Sequence, residues 1–238
     1  MRMVAVVLGG GVGQRLGAGQ PKQLMSLGGR TLIEHCVAAF SQAPGIDEIL
    51  VVMASGYVDQ VKEMLAADLA DGTVSAVIPG GVARSDSARI ALAAVAAAGP
   101  AAADCGVLLH DAARPLVDQR IIADCVAALG SHDAVGTAVP TSDTIVVAAA
   151  HATDLVMSHV PPREQLWRCQ TPQCFRLSVI ARAHALAAAD PDFAPTDDCG
   201  VVLRYLPDVP VHIVAGSERN IKVTYPSDIA VAEALLSC

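Results

Sequence analysis

Val4-Ala5-Val6-Val7-Leu8-Gly9-Gly10-Gly11-Val12-Gly13-Gln14-Arg15-Leu16, continuing to Pro21-Lys22-Gln23, is the stretch from which the fold of this chain follows. A short apolar run rich in β-branched residues passes directly into four glycines in five positions. That order predicts a buried parallel strand feeding a loop of unusual backbone freedom. Main-chain N–H groups in such a loop can approach a phosphate tail or the edge of a base. Arg15 and Lys22 put two cations at the same mouth.

The pattern recurs downstream. Thr31 precedes Leu32, Ile33, Cys36, Val37 and Phe40 at helical spacing, which predicts a capped helix ending at Phe40. Ile49 to Met53, Val74 to Ile78, Gly106 to Leu109 and Ala134 to Val139 read as buried strands. Between them, Val58 to Ala67, Arg84 to Ala98 and Ile121 to Leu129 read as helices. This alternation predicts an α/β fold, a Rossmann-like and mostly parallel sheet with helices on both faces. Ligands of such sheets bind at the carboxyl ends of the strands. The glycine loop, Gly80-Gly81 and His110 to Arg114 all fall there.

After Val139 the rhythm breaks. Thr144 to Val147 and Leu155 to Val160, around His151-Ala152-Thr153-Asp154, read as a β-hairpin, and Leu166 to Phe175 leads back. The chain is therefore expected to be a single domain, 1–238, with a β-arm inserted at 140–172. A projecting arm suits dimerisation, so a homodimer is expected. Helices from Ser178 to Ala189 and from Thr196-Asp197-Asp198 follow, then a strand at Val211 to Val214 and a helix from Ser227 or Asp228 to Leu236.

Composition narrows the function. The 238 residues can bury a full core, and no apolar run approaches the roughly 18 residues of a membrane span. With no signal-peptide pattern at the start, a cytoplasmic protein without membrane association is expected. A net charge of −8 argues against a nucleic-acid binder and gives weight to the three lysines, Lys22, Lys62 and Lys222. Seven cysteines without a CxxC pair, and scattered histidines, read as reduced thiols with no structural zinc signature.

The glycine loop matches neither common nucleotide motif. No Lys-Ser or Lys-Thr follows the glycines as a P-loop needs, and Leu16 stands where GxGxxG, the mark of NAD-dependent oxidoreductases, requires its third glycine. Gly80-Gly81-Val82-Ala83-Arg84-Ser85-Asp86-Ser87 is a second glycine turn opening a helix. Ser85 or Asp86 can cap that helix, and the turn with Ser87 can hold a nucleotide base. In His110-Asp111-Ala112-Ala113-Arg114-Pro115 the aspartate can hold Mg²⁺ or a substrate hydroxyl, or pair with Arg114. Thr144, Arg163, Thr171 and Lys222 are further phosphate-type donors.

These residues together resemble the cytidylyltransferases that act on polyol phosphates, chiefly the 2-C-methyl-D-erythritol 4-phosphate cytidylyltransferases of isoprenoid synthesis. The matching motifs are GGxGxRLG…PKQ (Gly10 to Gln23), GGxxRxxS (Gly80 to Ser87), LLHDAARP (Leu108 to Pro115) and Asp143-Thr144. Arg163, QTPQ (Gln170 to Gln173), TDD (Thr196 to Asp198) and NIKVT (Asn220 to Thr224) continue the series in order. The resemblance implies a nucleotidyltransferase-type fold and transfer of CMP from CTP. It implies that Arg15 and Lys22 stabilise charge at the α-phosphate, and that Lys222 and the partner subunit's Arg163 position the polyol phosphate. Asp111 would orient a polyol hydroxyl near Mg²⁺. Thr144 and Thr171 would line the polyol-phosphate pocket beside Arg114, while Gly9, Gly10, Gly11, Gly13, Gly80, Gly81, Arg84 and Ser87 would hold the nucleotide. Leu8-Gly9-Gly10-Gly11 departs from the Ala-Ala-Gly usual in that family and resembles the related D-ribitol-5-phosphate cytidylyltransferases. Methylerythritol phosphate is the favoured acceptor, and ribitol 5-phosphate is the alternative.

Overall fold

The structure is a computed structural model in which residues 1–10, 21–98, 105–151, 153–193 and 195–237 are described. Gly11, Gly13 and Arg15 lie outside the described residues.

The opening strand, β1 (Arg2–Gly9), is buried along nearly its whole length and runs between two neighbours. Its side chains alternate between faces, so Met3, Ala5 and Val7 enter one core while Val4, Val6 and Leu8 enter the other. A short ribbon, β2 (Ser26–Leu27) with β3 (Arg30–Thr31), leads into α1 (Leu32–Ser41). Thr31 caps this helix as expected, in a reciprocal exchange with Glu34. Then come β4 (Glu48–Met53), α2 (Val58–Met64), α3 (Ala66–Ala70) and β5 (Val74–Pro79). The single helix expected over Val58 to Ala67 is two, because Leu65 turns into the core and leaves helical geometry at φ −101°, ψ 23°.

The chain continues through α4 (Arg84–Ala97), β6 (Cys105–Asp111), α5 (Gln119–Leu129) and β7 (Ala134–Pro140). A hairpin of β8 (Val147–His151) and β9 (Asp154–His159) precedes β10 (Trp167–Arg176). The last elements are α6 (Leu177–Ala188), α7 (Asp198–Tyr205), β11 (Val211–Ala215) and α8 (Pro226–Leu236). One seven-stranded sheet in the order β11-β7-β10-β6-β1-β4-β5 forms the centre, parallel except for β10. Helices α1, α2 and α5 cover one face, while α4, α6 and α7 cover the other.

Two features of the arm differ from the expectation. The hairpin begins at Val147, which pairs with His159, not at Thr144, because Pro161 and Pro162 beyond His159 have no N–H to extend the ladder; the Thr144 hydroxyl accepts instead from Arg163 (2.7 Å). The returning segment is a strand of the main sheet: Trp167 pairs with Pro140 and Phe175 with both Ala134 and Val107. The physical reason is directional. The chain leaves β7 at its carboxyl end and comes back beside it, so β10 must run antiparallel. Its first residues, Gln170 and Thr171 among them, therefore lie at the ligand edge of the parallel strands. A register shift between Gln170 and Gln173 accommodates Pro172, which has no N–H to give the ladder.

Candidate active site

Three strand ends meet at the carboxyl edge: Gly9-Gly10 after β1, Gly80-Gly81 after β5, and His110-Asp111 at the end of β6. The first two glycine turns are packed against each other through one hydroxyl. A Cβ on Gly10 would stand 2.4 Å from Ser87 Oγ, and one on Gly80 would stand 2.7 Å from the same atom. Ser87 Oγ accepts from the Gly81 N–H (3.2 Å) and donates to the Ala83 carbonyl (3.2 Å). The start of α4 is held by Asp86, whose carboxylate accepts from the Ala83 N–H (3.0 Å).

Asp111 is the electrostatic centre. Arg84 Nε donates to Oδ1 (2.8 Å) and Lys222 Nζ to Oδ2 (2.7 Å). Burial alone would raise the Asp111 carboxyl, but the Arg84 guanidinium and Lys222 ammonium hold it well below the usual carboxylate range. Arg84 Nη1 in turn donates to Asp198 Oδ2 (2.7 Å), and His184 Nε2 donates to Asp198 Oδ1 (2.9 Å). Gln173 completes this buried set: its Oε1 accepts from the backbone N–H groups of Asp198 and Cys199, each at 2.9 Å. The remaining guanidinium nitrogen of Arg84, Nη2, is buried and has no hydrogen-bond partner among the described residues.

Behind the carboxylate runs a chain of hydrogen bonds whose protons can be assigned from the acceptors. The Arg114 carbonyl can only accept, so His110 Nε2–H donates to it (3.0 Å). His110 Nδ1 then accepts from the Thr171 hydroxyl (3.0 Å), and Thr171 Oγ1 accepts from the Asp111 N–H (3.1 Å). Burial pushes the His110 imidazole down to about 4, against a weaker opposing pull from the Arg114 carbonyl. The unfolded chain protonates this histidine at about pH 6.5 and the folded chain does not, so stability is lost as pH falls from about 6.5 to 4. The loss from this residue amounts to about 3 kcal/mol. Urea unfolding at stepped pH should show it, and His110→Asn should flatten that part of the profile; an equal slope in the variant would refute the assignment.

The segment Asn220–Thr224 closes the site from the far end of the chain. Val223 N–H bonds to the Ala113 carbonyl (2.8 Å), and Asn220 Nδ2 to the Thr171 carbonyl (2.9 Å). Lys22 Nζ donates to the Val223 carbonyl (3.0 Å), which brings the first conspicuous lysine beside the last. Arg114 does not pair with Asp111. Its fork instead holds the Asn220 carbonyl (2.7 Å) and the Cys169 carbonyl (3.2 Å), while Arg84 and Lys222 each bind one oxygen of the Asp111 carboxylate. Between these groups lies a pocket of about 230 Å³, walled by Arg114, Lys222, Asn220 and the Arg168–Glu218 ion pair.

The family model described as 2-C-methyl-D-erythritol 4-phosphate cytidylyltransferase (IspD) matches residues 3–238. The chain belongs to this family. A 2-C-methyl-D-erythritol 4-phosphate cytidylyltransferase of Thermobifida fusca is 52% identical over 99% of this chain and 93% of its own length. The bifunctional ribulose 5-phosphate reductase/CDP-ribitol pyrophosphorylase Bcs1 of Haemophilus influenzae is 36% identical over 98% of this chain and 48% of its own. The crystal structure of 4-diphosphocytidyl-2C-methyl-D-erythritol synthase from Anaerococcus prevotii has a TM-score of 0.84 at 27% identity, covering 100% of this chain and 96% of that one.

In this member of the 2-C-methyl-D-erythritol 4-phosphate cytidylyltransferase family, the site residues expected from the sequence fall on the sheet edge and on the arm. Gly9, Gly10, Gly80, Gly81, Arg84, Ser87, Asp111, Arg114, Thr171, Lys22 and Lys222 come together at one sheet edge. Thr171 is buried, with its hydroxyl proton given to His110. Arg163 and Thr144 are bonded to each other on the arm (2.7 Å), and no described contact joins them to Asp111 or Lys222. Asp198, His184, Gln173 and Asn220 escaped sequence reasoning as separate site residues. Motifs containing Asp198, Gln173 and Asn220 were visible in TDD, QTPQ and NIKVT; nothing in the sequence marked His184.

Proposed function

We propose that the protein transfers CMP from CTP to 2-C-methyl-D-erythritol 4-phosphate, releasing pyrophosphate and giving 4-(cytidine 5'-diphospho)-2-C-methyl-D-erythritol. The observation that carries this reading is the balance of charge around Asp111. Arg84, Arg114, Lys222 and Lys22 converge around Asp111 and Asp198, with Glu218 at the pocket wall already paired to Arg168, in a chain whose net charge is −8. Such a surplus suits a site that must bring two phosphates together.

The acceptor phosphate is already ionised and needs no general base. Its obstacle is repulsion, so the residues act by neutralising charge and fixing the line of attack. Lys22, with Arg15, serves the α-phosphate of CTP as negative charge grows there. Lys222 and Arg114 face the small pocket and take the polyol phosphate, and its volume is below the roughly 300 Å³ at which ligand pockets usually begin. The glycine turns and Ser87 receive the cytidine, and Arg84 Nη2 has a donor left for the nucleotide.

Asp111 suits Mg²⁺ as a single carboxylate ligand. A carboxylate offers about four acceptor positions, of which Arg84 and Lys222 use two, and Mg²⁺ sites are commonly completed by substrate phosphates and water. When bound, Mg²⁺ would neutralise triphosphate charge and ease departure of pyrophosphate.

The arm completes the proposal. Both strands of its hairpin are exposed, and Ile145, Val146, Leu155, Val156, Met157, Val160 and Trp167 leave apolar surface uncovered. That surface suits a homodimer in which the Arg163–Thr144 pair serves the partner's pocket. Co-expressed Arg163→Ala and Lys22→Ala chains should form mixed dimers with one intact site each, so a randomly assorted preparation should show about a quarter of the wild-type activity, where either variant alone is inactive; no recovery would refute sharing. The acceptor itself is tested by pyrophosphate release from CTP and Mg²⁺ with methylerythritol 4-phosphate or ribitol 5-phosphate. Turnover with the first is expected, and turnover with ribitol 5-phosphate alone would overturn the choice.

A further inference from the structure

We infer that Cys169, Asp197 and Cys199 form a binding site for a thiophilic divalent cation, Zn²⁺ being the natural occupant, which ties the ligand end of β10 to the start of α7. Their spacing, one cysteine on a strand and an Asp-x-Cys pair about thirty residues on, matches no zinc signature. Folding brings the two sulfurs and a carboxylate oxygen within 4.8 Å of one another.

The distances suit such an ion. Around a tetrahedral zinc, sulfur and oxygen ligands stand about 3.5–3.7 Å apart and two sulfurs about 3.8 Å. Cys169 Sγ and Asp197 Oδ2 are 3.4 Å apart. Two thiolates and a carboxylate select Zn²⁺ over Mg²⁺ or Ca²⁺, which take oxygen ligands.

The surroundings orient these atoms. Gln173 Nε2 donates to both Cys169 Sγ (3.0 Å) and Asp197 Oδ2 (2.8 Å), the outer-shell contact that fixes ligands and supports their negative charge. Asp197 Oδ1 is used separately, accepting from Gly200 N–H (2.9 Å) as the cap of α7, which leaves Oδ2 to face the sulfurs. Cys199 lies in the first turn of α7, two residues after the Asp197 cap, which fixes its place beside that carboxylate. No arginine or lysine pairs with Asp197 among the described residues, so the cluster's negative charge has no protein counter-ion. Cys199 is buried and Cys169 is exposed, giving the ion a route in and an open fourth position for water.

The consequence is local rigidity near the catalytic residues. Cys169 gives its carbonyl to Arg114, and Gln173 holds the backbone of Asp198, the counter-ion of Arg84. Occupancy would therefore brace two of the site's cations. The inference stands on the cluster alone and does not depend on the reaction proposed above.

The test uses the full chain, reduced and stripped with a chelator, then titrated with Zn²⁺ against a chromophoric chelator and separately with Cd²⁺. One Zn²⁺ per chain, a Cd²⁺–thiolate charge-transfer band in the ultraviolet and a rise in Tm with Zn²⁺ are expected. Cys169→Ser should abolish the band, and Asp197→Asn, which can still cap α7, should weaken Zn²⁺ at least tenfold. Failure of the wild-type chain to bind Zn²⁺, an unchanged band in Cys169→Ser, or recovery of a Cys169–Cys199 disulfide in place of metal binding would each overturn the inference.

Discussion

Lys22→Ala should lower kcat by roughly 10²–10³-fold while CTP affinity falls far less, because the lost interaction strengthens only as charge builds on the transferred phosphate. Lys22 is placed for this. The short 3-10 turn Lys22–Leu24 follows Pro21, with Gln23 and Leu24 buried beneath it, so the backbone of the lysine is fixed. Its ammonium rests on the Val223 carbonyl, one residue from Lys222. Two lysines of a chain that has three are thus brought to one point from opposite ends of the sequence. Single-turnover rates with CTP and methylerythritol 4-phosphate measure the chemical step directly. A variant with normal kcat and only a raised KM would show that Lys22 contributes uniform binding, and the assignment to the reacting phosphate would fall.

Asp198→Asn should destabilise the fold by about 3–5 kcal/mol and remove most activity as well. Asp198 is buried and accepts from Arg84 on one oxygen and His184 on the other. An amide of the same shape must present its NH₂ to one of two donors, and it removes one of the two carboxylates paired with the Arg84 guanidinium among the described residues. Burial opposes the Asp198 carboxylate, but Arg84 and His184 more than offset it and hold the group ionised. Denaturant unfolding at neutral pH, with the midpoint falling and the slope unchanged, measures the loss. The pair can be isolated by a cycle with Arg84→Met: the double variant should cost less than the sum of the two single changes, since the orphaned guanidinium is then gone too. Additive losses would mean that Arg84 and Asp198 do not support each other.

Much of this was visible in the chain itself. The run Val4 to Leu8 followed by glycines announced a buried central strand, and β1 is that strand, with its alternate side chains feeding both cores. Helix α1 began at its Thr31 cap. The glycines at 10 and 80 were suspected of leaving room for a ligand; they also leave room for Ser87, whose hydroxyl joins the two turns. Other elements were misjudged for physical reasons. β10 read as part of an appendage because its partners, β6 and β7, are dozens of residues away or face it antiparallel, and pairing of that kind leaves no local pattern.

The site divides along the same line. Sequence alone determined the alternating elements, the glycine turns and the residue types that handle phosphate, because these depend on local periodicity and intrinsic side-chain chemistry. Only the tertiary structure decided who pairs with whom. Asp111 took Arg84 and Lys222 in place of Arg114, His110 became a neutral link behind it, and Asp198 emerged as the buried counter-ion. The glycine loop likewise acquired its lysine's neighbour from residue 222. Partners of that kind are selected by burial and distance across the sheet edge, quantities that exist only once the strands have been laid side by side.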